Sequence, residues 1–283
     1  MKDMVLVKSI GKNFGKQNVL HNVSFSVAQG EIFGLLGPSG AGKTTLLKIL
    51  TGQIEQDSGQ ASILNVDINN IDSETYKKMG IMLEDCGLFQ RLTCFANLYI
   101  FAMIFDLDKS DVNNTLKDVQ LYEQRNKPVR NLSKGMTQRL SFGRAVLHKP
   151  KLLFLDEPSS GLDPVTANFV HDIIFNIANE GTTVIMTTHN MHEATKLCDN
   201  IGLLSEGEII EYGKPKELIN KYSIDTSIDV RLKNGKEYSF CNSDEGIELL
   251  ISYLQKEEVV SIHSRDVTLE DIFIELTGRG LEG

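Results

Sequence analysis

Alternation of apolar and polar positions opens the chain. Residues 4 to 10 and 19 to 27 switch between the two, which predicts two antiparallel strands that each bury one face. The segment between them, Gly11 to Gln17, reads as a turn carrying Phe14. A different pattern follows. Ile32-Phe33-Gly34-Leu35-Leu36 is apolar throughout, Leu152-Leu153-Phe154-Leu155 is too, and Thr182 to Thr187 is β-branched and apolar. Such runs predict strands covered on both faces. Gly80 to Leu83 reads as another central strand, and Gln60 to Leu64 as a strand after the turn Asp57-Ser58-Gly59. From Leu92 to about Pro150 the period becomes helical, with a cap expected at Ser110 before Asp111-Val112. Asp163-Pro164 reads as an N-cap followed by proline at the first helical position, opening a helix to about Ala178. Ile201 to Leu204 and Glu208 to Ile210 flank Glu206-Gly207, a hairpin signal, and a helix follows over Pro215 to Tyr222.

Composition shifts near residue 224. The remainder predicts a strand pair around Lys233-Asn234-Gly235-Lys236, a helix over Glu245 to Gln255, a further strand and a last helix over Thr268 to Leu276. The organisation expected is a main α/β domain over 1–224 and a small α+β appendage over 225–283, with no internal repeat. The chain of 283 residues is 41% hydrophobic and 24% charged, a globular balance. Its net charge of −9 argues against nucleic acid as a partner, since that needs a basic face. Cys86, Cys94, Cys198 and Cys241 are widely spaced and carry no metal-ligand pattern, which suits incidental thiols in a reducing compartment. Met1 to Val5 runs straight into a strand, so no signal peptide is expected. The longest apolar stretch, Leu98 to Phe105, falls short of the roughly 20 residues a bilayer span needs.

The chemistry starts after the first buried run. Gly37-Pro38-Ser39-Gly40-Ala41-Gly42-Lys43-Thr44 fits G-x-x-x-x-G-K-[ST], with Thr45 following in an amphipathic helix. The glycines let the backbone fold tightly enough to aim several N–H groups at one anion, and a side chain at Gly40 or Gly42 is expected to fill the space the phosphates need. The helix adds its positive end, Lys43 reaches the β- and γ-phosphates, and the Thr44 hydroxyl ligates Mg²⁺. Asp156 ends an apolar strand, the position from which a carboxylate holds that Mg²⁺. Glu157, next in line, points the other way by strand alternation and stands to polarise a water for in-line attack.

Asn131-Leu132-Ser133-Lys134-Gly135-Met136-Thr137-Gln138-Arg139 then makes the chain resemble the ATP-binding-cassette (ABC) family, whose signature L-S-G-G-Q is here Leu132-Ser133-Lys134-Gly135-Met136. Ser160-Gly161-Leu162-Asp163 matches its D-loop, His189 its switch histidine, and Phe14 its adenine-stacking aromatic. The resemblance covers about residues 4 to 220. It implies a P-loop ATPase core with a mixed sheet, an antiparallel β subdomain and a helical subdomain at about 86–150. It further implies ATP and Mg²⁺ as cofactors and a head-to-tail homodimer in which Ser133 and Gly135 face the γ-phosphate held by the other copy. Glu157 is implied as general base, His189 as holding the attacking geometry, and Asp163 as coupling the two sites.

One departure narrows the group. Where the family normally has a metal-ligating Gln after the strand at 80–83, this chain has Glu84, whose carboxylate can still reach Mg²⁺; the alternative is that Gln90, six residues on, serves in its place. Glu84 resembles the exporters of bacitracin and lantibiotic peptides, and Thr268 to Gly278 resembles the C-terminal end of daunorubicin-resistance ATPases. Together they imply a type-2 exporter ATPase on the cytoplasmic face of a bacterial membrane, served by a separate integral-membrane permease. Residues 85 to 105, which follow Glu84 and include Phe89 and Phe95 as expected exposed aromatics, are expected to receive it. The rival is a soluble ABC ATPase acting on ribosome or DNA. Ribosomal members usually carry two cassettes and repair members long coiled-coil insertions, and this chain has neither.

Overall fold

The computed structural model describes residues 3–83, 87–223, 227–241, 244–256, 259–265 and 267–280. β1 (Asp3–Phe14) and β2 (Gln17–Ala28) pair antiparallel, with only Gly15 and Lys16 between them. The first strand thus runs on to Phe14, where a turn beginning at Gly11 is expected from the sequence. Irregularity permits this: the ladder shifts register between Val7 and Ile10 and on either side of Lys12, and Ser9 takes a left-handed φ of 54°. A bulged strand loses the strict alternation by which a sequence announces one.

β3 (Ile32–Leu36) is buried at every position and leads through the glycine-rich loop into α1 (Lys43–Leu50). β4 (Ser58–Ile63) and the short β5 (Val66–Asp67) complete a sheet ordered β2-β1-β4-β5. After α2 (Ser73–Tyr76) and β6 (Met79–Met82), three helices form a layer of their own: α3 (Cys94–Ile104), α4 (Lys109–Asp118) and α5 (Lys134–Val146). Thr93 caps α3 and Ser133 caps α5. The cap of α4 is Asp108 in a reciprocal box with Asp111, rather than Ser110, which becomes the second residue of the helix. Buried Asn97 shapes the loop before α3, accepting from Phe89 N and donating to the carbonyls of Phe89, Leu92 and Thr93.

The chain then alternates through β7 (Leu152–Asp156), α6 (Pro164–Asn179), β8 (Thr183–Thr188), α7 (Met191–Leu197), β9 (Asn200–Ser205), β10 (Glu208–Gly213) and α8 (Pro215–Tyr222). The central sheet has the order β10-β9-β3-β8-β7-β6, parallel except for β10 at its edge. Its two faces feed two cores. Leu152 and Phe154 pack with Phe33, Ile185, α1 and the β1–β2 sheet, while Leu153 and Leu155 pack with Val184, Met186 and the helical layer. This double coverage is why these strands read as unbroken apolar runs. Register sets Leu36 beside Thr188 and Asp156 beside Thr187, so three strand ends open on one crevice.

After α8, β11 (Ser227–Leu232), β12 (Glu237–Cys241) and β13 (Val259–Arg265) form a sheet ordered β12-β11-β13, with α9 (Asp244–Gln255) against it. Val230, Leu232, Phe240 and Leu250 make its small core. α10 (Leu269–Thr277) returns to the main body, where Leu269, Ile272 and Phe273 are buried in the same cluster as Leu218, Met191 and Ala194. Among the described residues no helix is long and apolar enough to cross a membrane.

Gly80 on β6 faces the C-terminal end of α5 at close quarters. A Cβ there would come 2.3 Å from the Ala145 carbonyl oxygen and 2.9 Å from Pro150 Cγ, neither of which swings away freely. Gly80→Ala is expected to destabilise the fold by about 1–3 kcal/mol. The measurement is urea unfolding, with the midpoint lowered and the slope unchanged.

Candidate active site

The glycine-rich loop leaves β3 and closes on α1 through backbone that only glycine adopts freely, with φ of 82° at Gly40 and 107° at Gly42. The two glycines differ in what constrains them. A Cβ at Gly40 would meet no protein atom within 4 Å, and its left-handed φ favours glycine there. At Gly42 a Cβ would lie 2.7 Å from Leu20 Cδ2 and 3.0 Å from the Val19 carbonyl, so packing against β2 also limits this position. Ala41 N donates to the Pro38 carbonyl at 3.2 Å, tightening the turn through Ser39.

Lys43 is buried, and its Nζ donates to the carbonyls of Gly37 at 2.7 Å and Pro38 at 3.0 Å. Glu157 Oε1 is 3.8 Å from the same nitrogen. Burial pushes the Lys43 pKa down, against the opposing pull of Glu157 and Asp156. Thr44 Oγ1 donates to Asp156 Oδ2 at 2.8 Å, and Thr187 Oγ1 donates to the other oxygen, Oδ1. The Asp156 carboxylate therefore joins α1 to β8 across the end of β7.

Glu157 corrects the sequence expectation. Alternation predicts that it points away from Asp156, yet both carboxylates line the same cavity of about 500 Å³ with Lys43 and Thr44. The cause is a left-handed φ of 47° immediately after the strand ends at Asp156. A non-glycine residue adopts this at a cost of order 1–3 kcal/mol when its surroundings hold it. They do: Glu157 N donates to the Thr187 carbonyl at 3.2 Å and to Thr187 Oγ1 at 3.0 Å. His189, half exposed just past β8, sets Nδ1 3.1 Å from Glu157 Oε2.

Other candidate residues are distributed more widely. Thr45 lines the cavity; Pro38, Ser39 and Ala41 form its loop. From the signature segment, Lys134 and Gln138 line this chain's own cavity, while Ser133 and Gly135 do not. Ser133 accepts from Met136 N at the head of α5, and Gly135 faces Leu162 and Thr166. Gln138 Nε2 reaches the Pro158 carbonyl at 3.1 Å, tying α5 to the segment after Glu157. Asp163 caps α6, accepting from Val165 N, Thr166 N and Thr166 Oγ1 at 3.1, 3.0 and 2.6 Å. The Thr166 hydroxyl and the backbone bonds hold its carboxyl below the ordinary value. Phe14 ends β1 half exposed, with Lys12 Nζ 5.5 Å from its ring centre, and Val19 rather than Phe14 is on the cavity wall. Gln90 is exposed, and Glu84 lies outside the described residues.

Sequence reasoning passed over Thr187 and a buried cluster behind it. Glu193, 2% exposed, accepts from Ser159 Oγ at 2.6 Å and His171 Nε2 at 2.8 Å on Oε1, and from Thr188 Oγ1 at 2.6 Å on Oε2. Burial works to raise its pKa, but the hydrogen bonds from His171, Ser159 and Thr188 outweigh it and hold the carboxyl below its ordinary value. No local pattern marks these residues, because the four come from separate segments.

A family model described as "ABC transporter" matches residues 20–160. A fluoroquinolones export ATP-binding protein of Mycobacterium tuberculosis is 37% identical, over 93% of this chain and 88% of its own. A linearmycin resistance ATP-binding protein of Bacillus subtilis is 30% identical, over 98% of this chain and 99% of its own. Among solved structures, an ATP-binding subunit of an ABC transporter superposes with a TM-score of 0.71 at 26% identity, over 77% of this chain and 93% of that one. A cassette solved as a post-hydrolysis dimer with ADP and Pi gives 0.68 at 27% identity, over 75% and 98%. Both lines of likeness span the crevice that holds Lys43, Asp156 and Glu157, and the chain belongs to the ABC transporter family, as one of its ATP-hydrolysing cassettes.

Proposed function

We propose that this cassette powers an exporter, driving an antimicrobial peptide, a drug or another hydrophobic compound out through a separate integral-membrane subunit. The relatives named for fluoroquinolone export and linearmycin resistance support this direction. The observation that carries the chemistry is the convergence of Lys43, Thr44, Asp156 and Glu157 on one cavity, with His189 reaching Glu157 at 3.1 Å from beside it.

In this reading the N–H groups of the loop from Pro38 to Thr44 and the first turn of α1 bind the phosphates, with the Lys43 ammonium on the β- and γ-phosphates. Glu157 takes the proton of the attacking water, and His189 keeps that carboxylate aimed at it. The Thr44 hydroxyl and the Asp156 carboxylate are hard oxygen donors already 2.8 Å apart, a donor set that fits Mg²⁺, with Glu84 as a further oxygen. Bound there, the ion offsets phosphate charge. Ser133 and Gly135, off their own chain's cavity, face the γ-phosphate of a second copy in a head-to-tail homodimer, and Asp163 couples the two sites. Phe14, off the cavity wall in this structure, is the aromatic this reading assigns to adenine. The membrane subunit, met on the cytoplasmic face, docks on residues 85–105, where Phe89, Met103 and Ile104 are exposed, whereas Phe95, expected to be exposed, packs half-buried against the core. The division near residue 224 separates the cassette from its appendage.

Glu157→Gln is expected to lower kcat by roughly 10²–10⁴-fold while ATP binding persists, so that an ATP-dependent dimer accumulates on size exclusion. Turnover at the native rate would remove Glu157 as the base. Lys43→Met should abolish the ATP-induced rise in Tm, which for the native chain corresponds to about 2.7 kcal/mol at 100 times Kd. Arg91→Glu, on the exposed segment before α3, should weaken recovery of the membrane subunit in a pull-down from detergent-solubilised membranes. Undiminished co-purification would move the docking surface elsewhere.

A further inference from the structure

We propose that Glu193 is a positioning residue for ATP hydrolysis, tying the segment that bears Glu157 to the segment that bears His189. The inference rests on the reading of those two residues as base and partner. Ser159 lies two residues after Glu157, and Thr188 directly precedes His189. Both donate to the one Glu193 carboxylate, to opposite oxygens, at 2.6 Å each. The same carboxylate accepts from His171 of α6, and the backbone of Glu193 is held by its helix cap, where Glu193 N donates to Asn190 Oδ1 at 3.0 Å. Asn190 N in turn donates to Thr188 Oγ1 at 2.9 Å.

Two features separate this tie from ordinary packing. A carboxylate taken out of water gains little stability over an apolar residue of the same shape, so what the Glu193 carboxylate adds in this proposal is the arrangement its bonds to Ser159, His171 and Thr188 enforce. His171 also leaves its Nδ1 buried with no hydrogen-bond partner, one of few such atoms among the described residues. His171 therefore engages the protein's hydrogen-bond network through Nε2, the donor to Glu193. The geometry served is the 3.1 Å contact of His189 with Glu157, which an independent shift of either segment would open.

The test uses the full chain, with kcat and KM for ATP, Tm, and the ring nitrogen NMR resonances of His189 recorded without added nucleotide. Glu193→Gln removes one acceptor at constant shape; Ser159→Ala and Thr188→Val each cut one arm. Each should lower kcat ~10-fold or more, as misplacement by a fraction of an ångström does, and shift the His189 resonances. KM should stay within about twofold, since the phosphate contacts are untouched. Ser159→Ala with Thr188→Val together should lose less than the product of the single losses, the signature of one shared tie. Should Glu193→Gln fail to fold, that cycle decides alone, and multiplicative losses overturn the proposal. A lowered Tm with native kcat and native His189 resonances makes Glu193 structural only and overturns it too. Glu157→Gln, run alongside, separates the two failures. If it hydrolyses ATP at the native rate, the base assignment falls and takes the tie with it. If it is inactive while Glu193→Gln is fully active, the tie alone falls.

Discussion

The Asp156 carboxylate organises the crevice. It accepts from Thr44 at the start of α1 on one oxygen and from Thr187 near the end of β8 on the other. At 4% exposure its charge has little water to rely on, so both hydroxyls and the nearby Lys43 supply what solvent would. Those donors come together only if β7 lies beside β8 in the observed register and β3 delivers the loop from the far side of β8. The central sheet is thus a device for bringing three strand ends to one anion-binding crevice.

That crevice stores strain. Glu157 turns into it through a left-handed backbone that a carboxylate residue does not favour, held by two hydrogen bonds to Thr187. The next residues are held from two directions. Gln138 of the helical layer donates to the Pro158 carbonyl, and Ser159 donates to Glu193 on α7. A displacement of α5 relative to the sheet therefore pulls directly on the segment carrying Glu157. The exposed apolar residues of α3, Met103 and Ile104, sit in the same helical layer.

The C-terminal segment divides its allegiance. Its three-stranded sheet and α9 keep a core of their own, while α10 buries Leu269, Ile272 and Phe273 in the larger cluster and packs on α7 and α8. Since α7 also carries Glu193, the last helix of the chain braces an element that reaches the catalytic crevice.

Some of this was readable before any coordinates. The loop from Gly37 to Thr44, the buried runs of β3, β7 and β8, the Asp163-Pro164 start of α6 and the Glu206-Gly207 hairpin all obey rules that span fewer than a dozen neighbouring positions. Where the sequence misled, a local rule met a non-local partner. Phe14 extends β1 because β2 and β4 pair with a bulged strand, and Glu157 faces Asp156's side because Thr187 holds an unfavourable φ. Asp108 rather than Ser110 caps α4 because two carboxylates satisfy the helix start reciprocally. By itself the sequence determined the nucleotide loop, the family and the strands that must be buried, since these follow from backbone conformation and hydrophobic period along the chain. Only the tertiary structure decided that Thr187 completes the Asp156 site and that Ser159, His171, Thr188 and Glu193 meet, because hydrogen bonds between distant segments depend on register and packing that no stretch of sequence encodes alone.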